Sequence, residues 1–77
     1  MTTPIRVPRL AVSMKEGTLS EWLVADGQWV DAGTPIYVLD TDKVDTEVES
    51  PASGTIRLLA AAGGVHPIGD LVAELEP

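Results

Sequence analysis

The chain nearly repeats itself at half its length, and this repeat constrains the fold more than any other feature. Ser13-Met14-Lys15-Glu16-Gly17-Thr18-Leu19 lines up with Ser50-Pro51-Ala52-Ser53-Gly54-Thr55-Ile56 at an offset of 37 residues. Further on, Gly27 matches Gly63 and Gly33 matches Gly69 at an offset of 36. Pro35-Ile36-Tyr37-Val38-Leu39 then faces Leu71-Val72-Ala73-Glu74-Leu75. One residue of slippage between the blocks reads as a single loop deletion. Two units are too few for a solenoid, which needs about three. They suit a pseudo-symmetric β-sandwich or barrel in which each half covers the other.

The spacing of turn residues agrees. Glycine or proline recurs at Gly17, Gly27, Gly33, Pro35, Pro51, Gly54, Gly63, Gly64, Pro67 and Gly69, a rhythm typical of short strands joined by tight turns. Strands are expected near Ile5–Leu10, Thr18–Val24, Trp29–Val30, Ile36–Asp40, Val44–Glu49, Thr55–Leu59 and Leu71–Glu74. Arg57-Leu58-Leu59-Ala60-Ala61-Ala62 has helical propensity, but it is too short to stand alone and runs into Gly63-Gly64, so strand then turn is the reading. Gly27 and Gly33 frame Gln28–Ala32 and are expected in turns that need positive φ. Trp22 and Trp29 read as core or rim packing rather than binding platforms.

At 77 residues, the chain reads as one domain, 1–77, with a small core. It has no cysteine, so disulfides, thiolate chemistry and zinc knuckles are excluded. The single histidine, His66, excludes histidine clusters for metal and reads as a surface-loop residue. Five basic residues against twelve acidic ones give a net charge of −7. Nucleic acid and anionic lipid both call for the opposite sign. No apolar run approaches the roughly 20 residues of a membrane helix, and the start has no signal-like pattern. A soluble intracellular protein is expected, with no nucleic-acid or membrane partner.

One short stretch carries the chemistry. Thr41-Asp42-Lys43 stands between the apolar run Pro35–Asp40 and the alternating run Val44-Asp45-Thr46-Glu47-Val48-Glu49. Period two turns Val44, Thr46 and Val48 inward and Asp45, Glu47 and Glu49 to water. A loop of two or three residues between Asp40 and Val44 makes a hairpin, with Lys43 at its tip among carboxylates. The acids on one strand face read as a solvated, aggregation-resisting surface rather than an acid–base pair. A lysine amine is almost wholly protonated at neutral pH, and nearby carboxylates favour that form. Lys43 is therefore a substrate for a modifying enzyme rather than a self-activated nucleophile, and no autonomous active site is visible.

Asp40-Thr41-Asp42-Lys43-Val44 resembles the attachment motif of lipoyl domains, of the biotinyl/lipoyl attachment family found in 2-oxo acid dehydrogenase complexes. Glu16-Gly17-Thr18, Asp26–Gly33, Ser50-Pro51-Ala52-Ser53-Gly54 and Gly69-Asp70-Leu71-Val72 resemble further family features in register, so the likeness runs from Val7 to about Leu75. Asp40 departs from the family's commoner glutamate. The resemblance implies an all-β flattened barrel, or barrel-sandwich hybrid, of two pseudo-symmetric four-stranded sheets with the attachment lysine at a hairpin tip.

It also implies lipoate in amide linkage to Lys43, with Asp40, Thr41, Asp42 and Val44 as recognition context. The implied role is a non-catalytic carrier within a dihydrolipoamide acyltransferase. Its partners would be a lipoate ligase or lipoyl synthase, a thiamine-diphosphate 2-oxo acid decarboxylase, an acyltransferase core and a dihydrolipoyl dehydrogenase. The isolated domain is expected to be a monomer, in the bacterial cytoplasm or, in a eukaryote, the mitochondrial matrix. Met14-Lys15 lies near the first strand, whereas biotin carriers place their lysine between two methionines at the central tip. A biotin carrier is thus the alternative, with an unmodified barrel-sandwich adaptor beside it. By the repeat, Arg6 is the counterpart of Lys43 and is unsuited to acylation.

Overall fold

The computed structural model describes residues 2–10, 14–41 and 45–77, and every regular element among them is a strand. In chain order these are β1 (Thr3–Arg6), β2 (Glu16–Trp22), β3 (Trp29–Val30), β4 (Pro35–Asp40), β5 (Asp45–Glu49), β6 (Gly54–Leu58), β7 (Val65–Pro67) and β8 (Leu71–Glu76). They form two antiparallel four-stranded sheets, ordered β1-β8-β6-β3 and β5-β4-β2-β7. The expected fold class is borne out. β7 is a strand that turn spacing alone did not reveal, because three residues ending in proline carry almost no periodicity.

The two sheets are copies of one another. Leu39 pairs with Thr46 as Leu75 pairs with Thr3, and Tyr37 pairs with Val48 as Ala73 pairs with Ile5. Thr18 lies opposite Val65 as Thr55 lies opposite Trp29. Bonds outside the ladders repeat too. Leu23 N–H donates to Ile36 O at 2.8 Å, and Leu59 N–H donates to Val72 O at 3.0 Å. Gly27, Gly33, Gly63 and Gly69 all have positive φ, between 85° and 94°, so the turns repeat with their conformation.

The slippage in the repeat is not a loop deletion. Leu19 pairs with Leu39 and Glu21 with Val38, which leaves Ser20 as an extra residue in β2. β6 runs through the same place without interruption, Ile56 to Leu75 and Arg57 to Glu74. A β-bulge therefore absorbs the residue inside the strand. A second, symmetric pair of bulges falls at Ile36 and Val72, where the register jumps from Tyr37 to Pro35 and from Ala73 to Leu71. Each bulge turns two successive side chains inward, so Ile36-Tyr37 and Val72-Ala73 are buried as neighbours.

The core lies between the sheets. Leu19, Ile36, Tyr37, Leu39, Ile56, Val72 and Ala73 are fully buried, with Ile5, Val7, Met14, Val30 and Leu75 nearly so. The halves share this volume unequally. Tyr37 occupies one side and its counterpart Ala73 the other, with Trp22 packed edge-on to Tyr37 at 5.2 Å between ring centroids. Trp22 also donates its indole N–H to Ala60 O at 2.9 Å, which agrees with the packing role expected of it. Trp29 is 56% exposed on edge strand β3, so it contributes little to the core.

Candidate functional site

The hairpin of β4 and β5 is built from two different kinds of strand. β4 is apolar and central, and its bulge commits Ile36, Tyr37 and Leu39 to the core. β5 is an edge strand with Asp45, Glu47 and Glu49 exposed and Thr46 and Val48 half-buried, the alternation expected from its sequence. The last register pair is Asp40 with Asp45. By sequence, Thr41-Asp42-Lys43-Val44 joins them. Thr41 and Asp40 are half-buried, whereas Asp42, Lys43 and Val44 lie outside the described residues.

The base of the hairpin is fixed from below and from its far end. A Cβ on Gly17 would stand 2.8 Å from Leu39 Cδ1, so the bare glycine in β2 is what lets Leu39 seat beneath Asp40. Thr18 pairs directly with Asp40. At the other end, Gly33 N–H donates to Ser50 O at 2.9 Å and Ser50 N–H donates to Thr34 O at 2.8 Å. Ser50 is buried, and its hydroxyl donates to Ala52 O at 2.6 Å, closing the turn after β5.

Its electrostatics are lopsided. Between Pro35 and Glu49 the sequence holds the acids Asp40, Asp42, Asp45, Glu47 and Glu49, with Lys43 the one cation. Asp40 and Asp45 stand directly opposite each other, an unfavourable cross-strand pairing of like charges.

Two expectations about other residues are corrected. His66 is not a surface-loop histidine. It lies in β7 opposite Gly17, its side chain is only 18% exposed, and Nδ1 sits 2.7 Å from Asp70 Oδ2. Its register counterpart is Val30, a core residue opposite Gly54, and the offset of 36 between them was the signal in the sequence. Nε2 is buried without a hydrogen-bond partner, so the pair cannot serve as a base toward an outside substrate. Arg6 is not the counterpart of Lys43. It pairs with Leu71 as Glu49 pairs with Pro35, because the connection from β1 to β2 is longer than that from β5 to β6.

Among the described residues, no three His, Cys, Asp or Glu side chains are grouped to hold a metal ion. A shallow groove on the other sheet, lined by Asp26, Gly27, Thr55, Arg57 and Glu76, is remote in topology from the hairpin. The one phenol, on Tyr37, is pushed up to about 12 by burial.

A family described as biotin-requiring enzymes, the biotin/lipoyl attachment family, matches residues 3–75. The chain belongs to the biotin/lipoyl attachment family. Among its relatives is the dihydrolipoyllysine-residue acetyltransferase component of the acetoin cleaving system of Cupriavidus necator, 44% identical over 96% of this chain and 20% of that protein. The dihydrolipoyllysine-residue succinyltransferase component of the 2-oxoglutarate dehydrogenase complex of Staphylococcus saprophyticus is 44% identical over 90% of the chain and 16% of that protein. The pyruvate dehydrogenase E1 component subunit beta of Rhizobium meliloti is 47% identical over 82% of the chain and 14% of that protein. The chain thus spans a fifth or less of the length of these relatives.

The residues that resemble an attachment motif, Asp40 to Val44, fall by sequence between β4 and β5. Sequence reasoning reached Asp40, Thr41, Asp42, Lys43 and Val44 from that motif, and the structure places Asp40 and Thr41 at its start. It did not reach Gly17 and Leu39, whose packing is a matter of two side chains brought together by register.

Proposed function

We propose that this is a lipoyl carrier domain, with lipoate in amide linkage to Nζ of Lys43. The observation that carries the reading is the β4–β5 hairpin, whose register ends at Asp40 and Asp45 with the Asp-Lys-Val motif in the residues between. Two of the relatives are named for a dihydrolipoyllysine residue, which favours lipoate over biotin. The neighbours of Lys43 are Asp42 and Val44 rather than methionines, which weighs the same way.

The residues present fit such a group. Amide formation needs one primary amine clear of the barrel, and the chain is at the surface on either side of Lys43, with Asp40 and Thr41 half-buried and Asp45 exposed. When bound, the dithiolane supplies two-electron redox and acyl-thioester chemistry that no side chain of this domain offers. The domain's own part is presentation. Leu39 on Gly17 and the Ser50 turn anchor β4 and β5, the two strands that flank the residue proposed to carry the arm. Tethering then turns each encounter into a local one at high effective concentration.

The partners under this reading are a lipoate ligase, a thiamine-diphosphate 2-oxo acid decarboxylase, an acyltransferase core and a dihydrolipoyl dehydrogenase. The host is a dihydrolipoamide acyltransferase of a 2-oxo acid dehydrogenase complex. The test is intact mass and peptide mapping after expression with a lipoate ligase or with a biotin ligase. A gain of one lipoyl group on the Lys43 peptide is the expected result. A biotinyl gain on that peptide assigns the domain to carboxylases, and no gain with either competent ligase refutes the carrier reading.

A further inference from the structure

The two halves differ inside one strand, and the difference lies beside the start of the motif. β6 pairs with β8 without interruption, whereas β2 carries the extra residue Ser20 between Leu19 and Glu21. A bulge re-aims the side chains around it. Here Ser20 and Glu21 are both exposed, and Glu21 rather than Ser20 stands opposite Val38. Val38 stands in turn opposite Glu47. The neighbouring row on the outer face is Thr18, Asp40 and Asp45, so Glu21 lies diagonally across from Asp40.

The other sheet shows what that diagonal can hold. Thr55 lies opposite Glu76 as Thr18 lies opposite Asp40, and Arg57 lies opposite Glu74 as Glu21 lies opposite Val38. Arg57 Nη1 reaches Glu76 Oε1 at 3.8 Å, an ion pair across the diagonal. The half with the motif sets two carboxylates in those places instead. Diagonal neighbours are about 7–8 Å apart, within reach of long side chains, and like charges at that range repel. An arginine at position 21 would give this sheet the ion pair that its twin has. Glu21 therefore brings repulsion to the face rather than stability.

We propose that Glu21 is a specificity-determining residue for modification of this domain, accepting a hydrogen bond from a basic side chain of the lipoate ligase. The inference rests on the carrier reading of Lys43. The ligase supplies in trans the cation that Arg57 supplies in cis on the other sheet. Arginine suits the role, because its rigid fork of donors matches a carboxylate and keeps its charge at every working pH. The bulge is what makes Glu21 available. In the uninterrupted register of β6, Ser20 would stand opposite Val38, and Glu21 would take the inward place of Trp22, which packs on Tyr37.

The test is the kinetics of lipoate attachment to the unmodified domain by a lipoate ligase, read by intact mass, beside urea unfolding of each variant. Glu21→Arg copies Arg57. It is expected to raise KM for the domain about tenfold or more, the scale of one lost charge-assisted hydrogen bond, with kcat changed less than about twofold. Its urea midpoint should hold or rise, since the new arginine can pair with Asp40. A purely structural role for Glu21 would move the midpoint and KM together. Glu76→Arg makes the same change of charge on the other sheet and should leave KM where it is, which separates a local contact from the pull of net charge. Equal KM for wild type and Glu21→Arg, or an equal rise in Glu76→Arg, overturns the inference and leaves the carrier reading standing. A wild-type domain that gains no lipoyl group overturns both.

Discussion

Tyr37→Phe tests the core from its least comfortable atom. Tyr37 is fully buried, and its hydroxyl has no hydrogen-bond partner. An unmet buried hydroxyl costs about 1–3 kcal/mol. Phenylalanine keeps the edge-on contact with Trp22 and removes that group, leaving only an oxygen-sized gap. The variant is therefore expected to be more stable than wild type at neutral pH, by about 1 kcal/mol. The difference should widen in alkali. Burial raises the phenol from its usual 10.0 to about 12 in the folded state. A phenol raised on folding contributes fully below the unfolded value, and that contribution drains away as pH climbs toward the folded one. At about 1.4 kcal/mol per pH unit, wild type loses about 2–3 kcal/mol over this window that the variant keeps. Urea unfolding of both proteins at pH 7 and at several alkaline values gives the difference, cancelling groups they share. Tyr37 is the only tyrosine, so tyrosinate absorbance tracks its ionisation directly. Tyrosinate appearing near pH 10 in the still-folded domain would refute the reasoning. So would a variant less stable than wild type at pH 7, which would mean that the hydroxyl is bonded after all.

Lys43→Gln should abolish modification, read by intact mass, and leave the urea midpoint unchanged, as the hairpin-tip position expected from the sequence implies. Gly54→Ala puts a Cβ 2.6 Å from the backbone oxygen of Glu76, between two strands that cannot part, and should cost about 3 kcal/mol in urea unfolding. Gly63→Ala meets no atom within 4 Å, so it should cost only the left-handed backbone penalty of about 1 kcal/mol at φ 94°. Gly33→Val, at φ 89°, should cost about 2 kcal/mol or more because a β-branched side chain tolerates that conformation least. If it melts and is modified like wild type, the turn before β4 does not position the hairpin.

Much of the fold was legible because its signals are local. The glycines that need positive φ, the alternation of β5 and the apolar run of β4 each show in a few residues. What escaped is set by pairing. Ser20 is an ordinary residue in sequence, and only the opposing register of β4 reveals it as a bulge. Ile36-Tyr37 and Val72-Ala73 break period two for the same reason. β7 and the burial of His66 were hidden by a three-residue strand, although the offset to Val30 placed them. At the site, the Asp-Lys-Val motif was visible, while the seat of Leu39 on Gly17 required two strands to be brought together.

The register also explains why the β4–β5 hairpin has no second copy in a two-fold fold. The offset of 36 relates β4 to β8, and an offset of 43 relates β1 to β5. The counterpart of the β4–β5 connection is thus the place where β8 ends beside the start of β1, with Thr3 opposite Leu75. Chain order, not side-chain chemistry, removes the second tip, since β8 and β1 are never joined by a turn. The apparent equivalence of Arg6 came from extending the offset of β2 and β6 across a connection whose length differs. One half of the repeat supplies a closed hairpin at which a lysine can be presented, and the other half supplies the same frame where the chain enters and leaves.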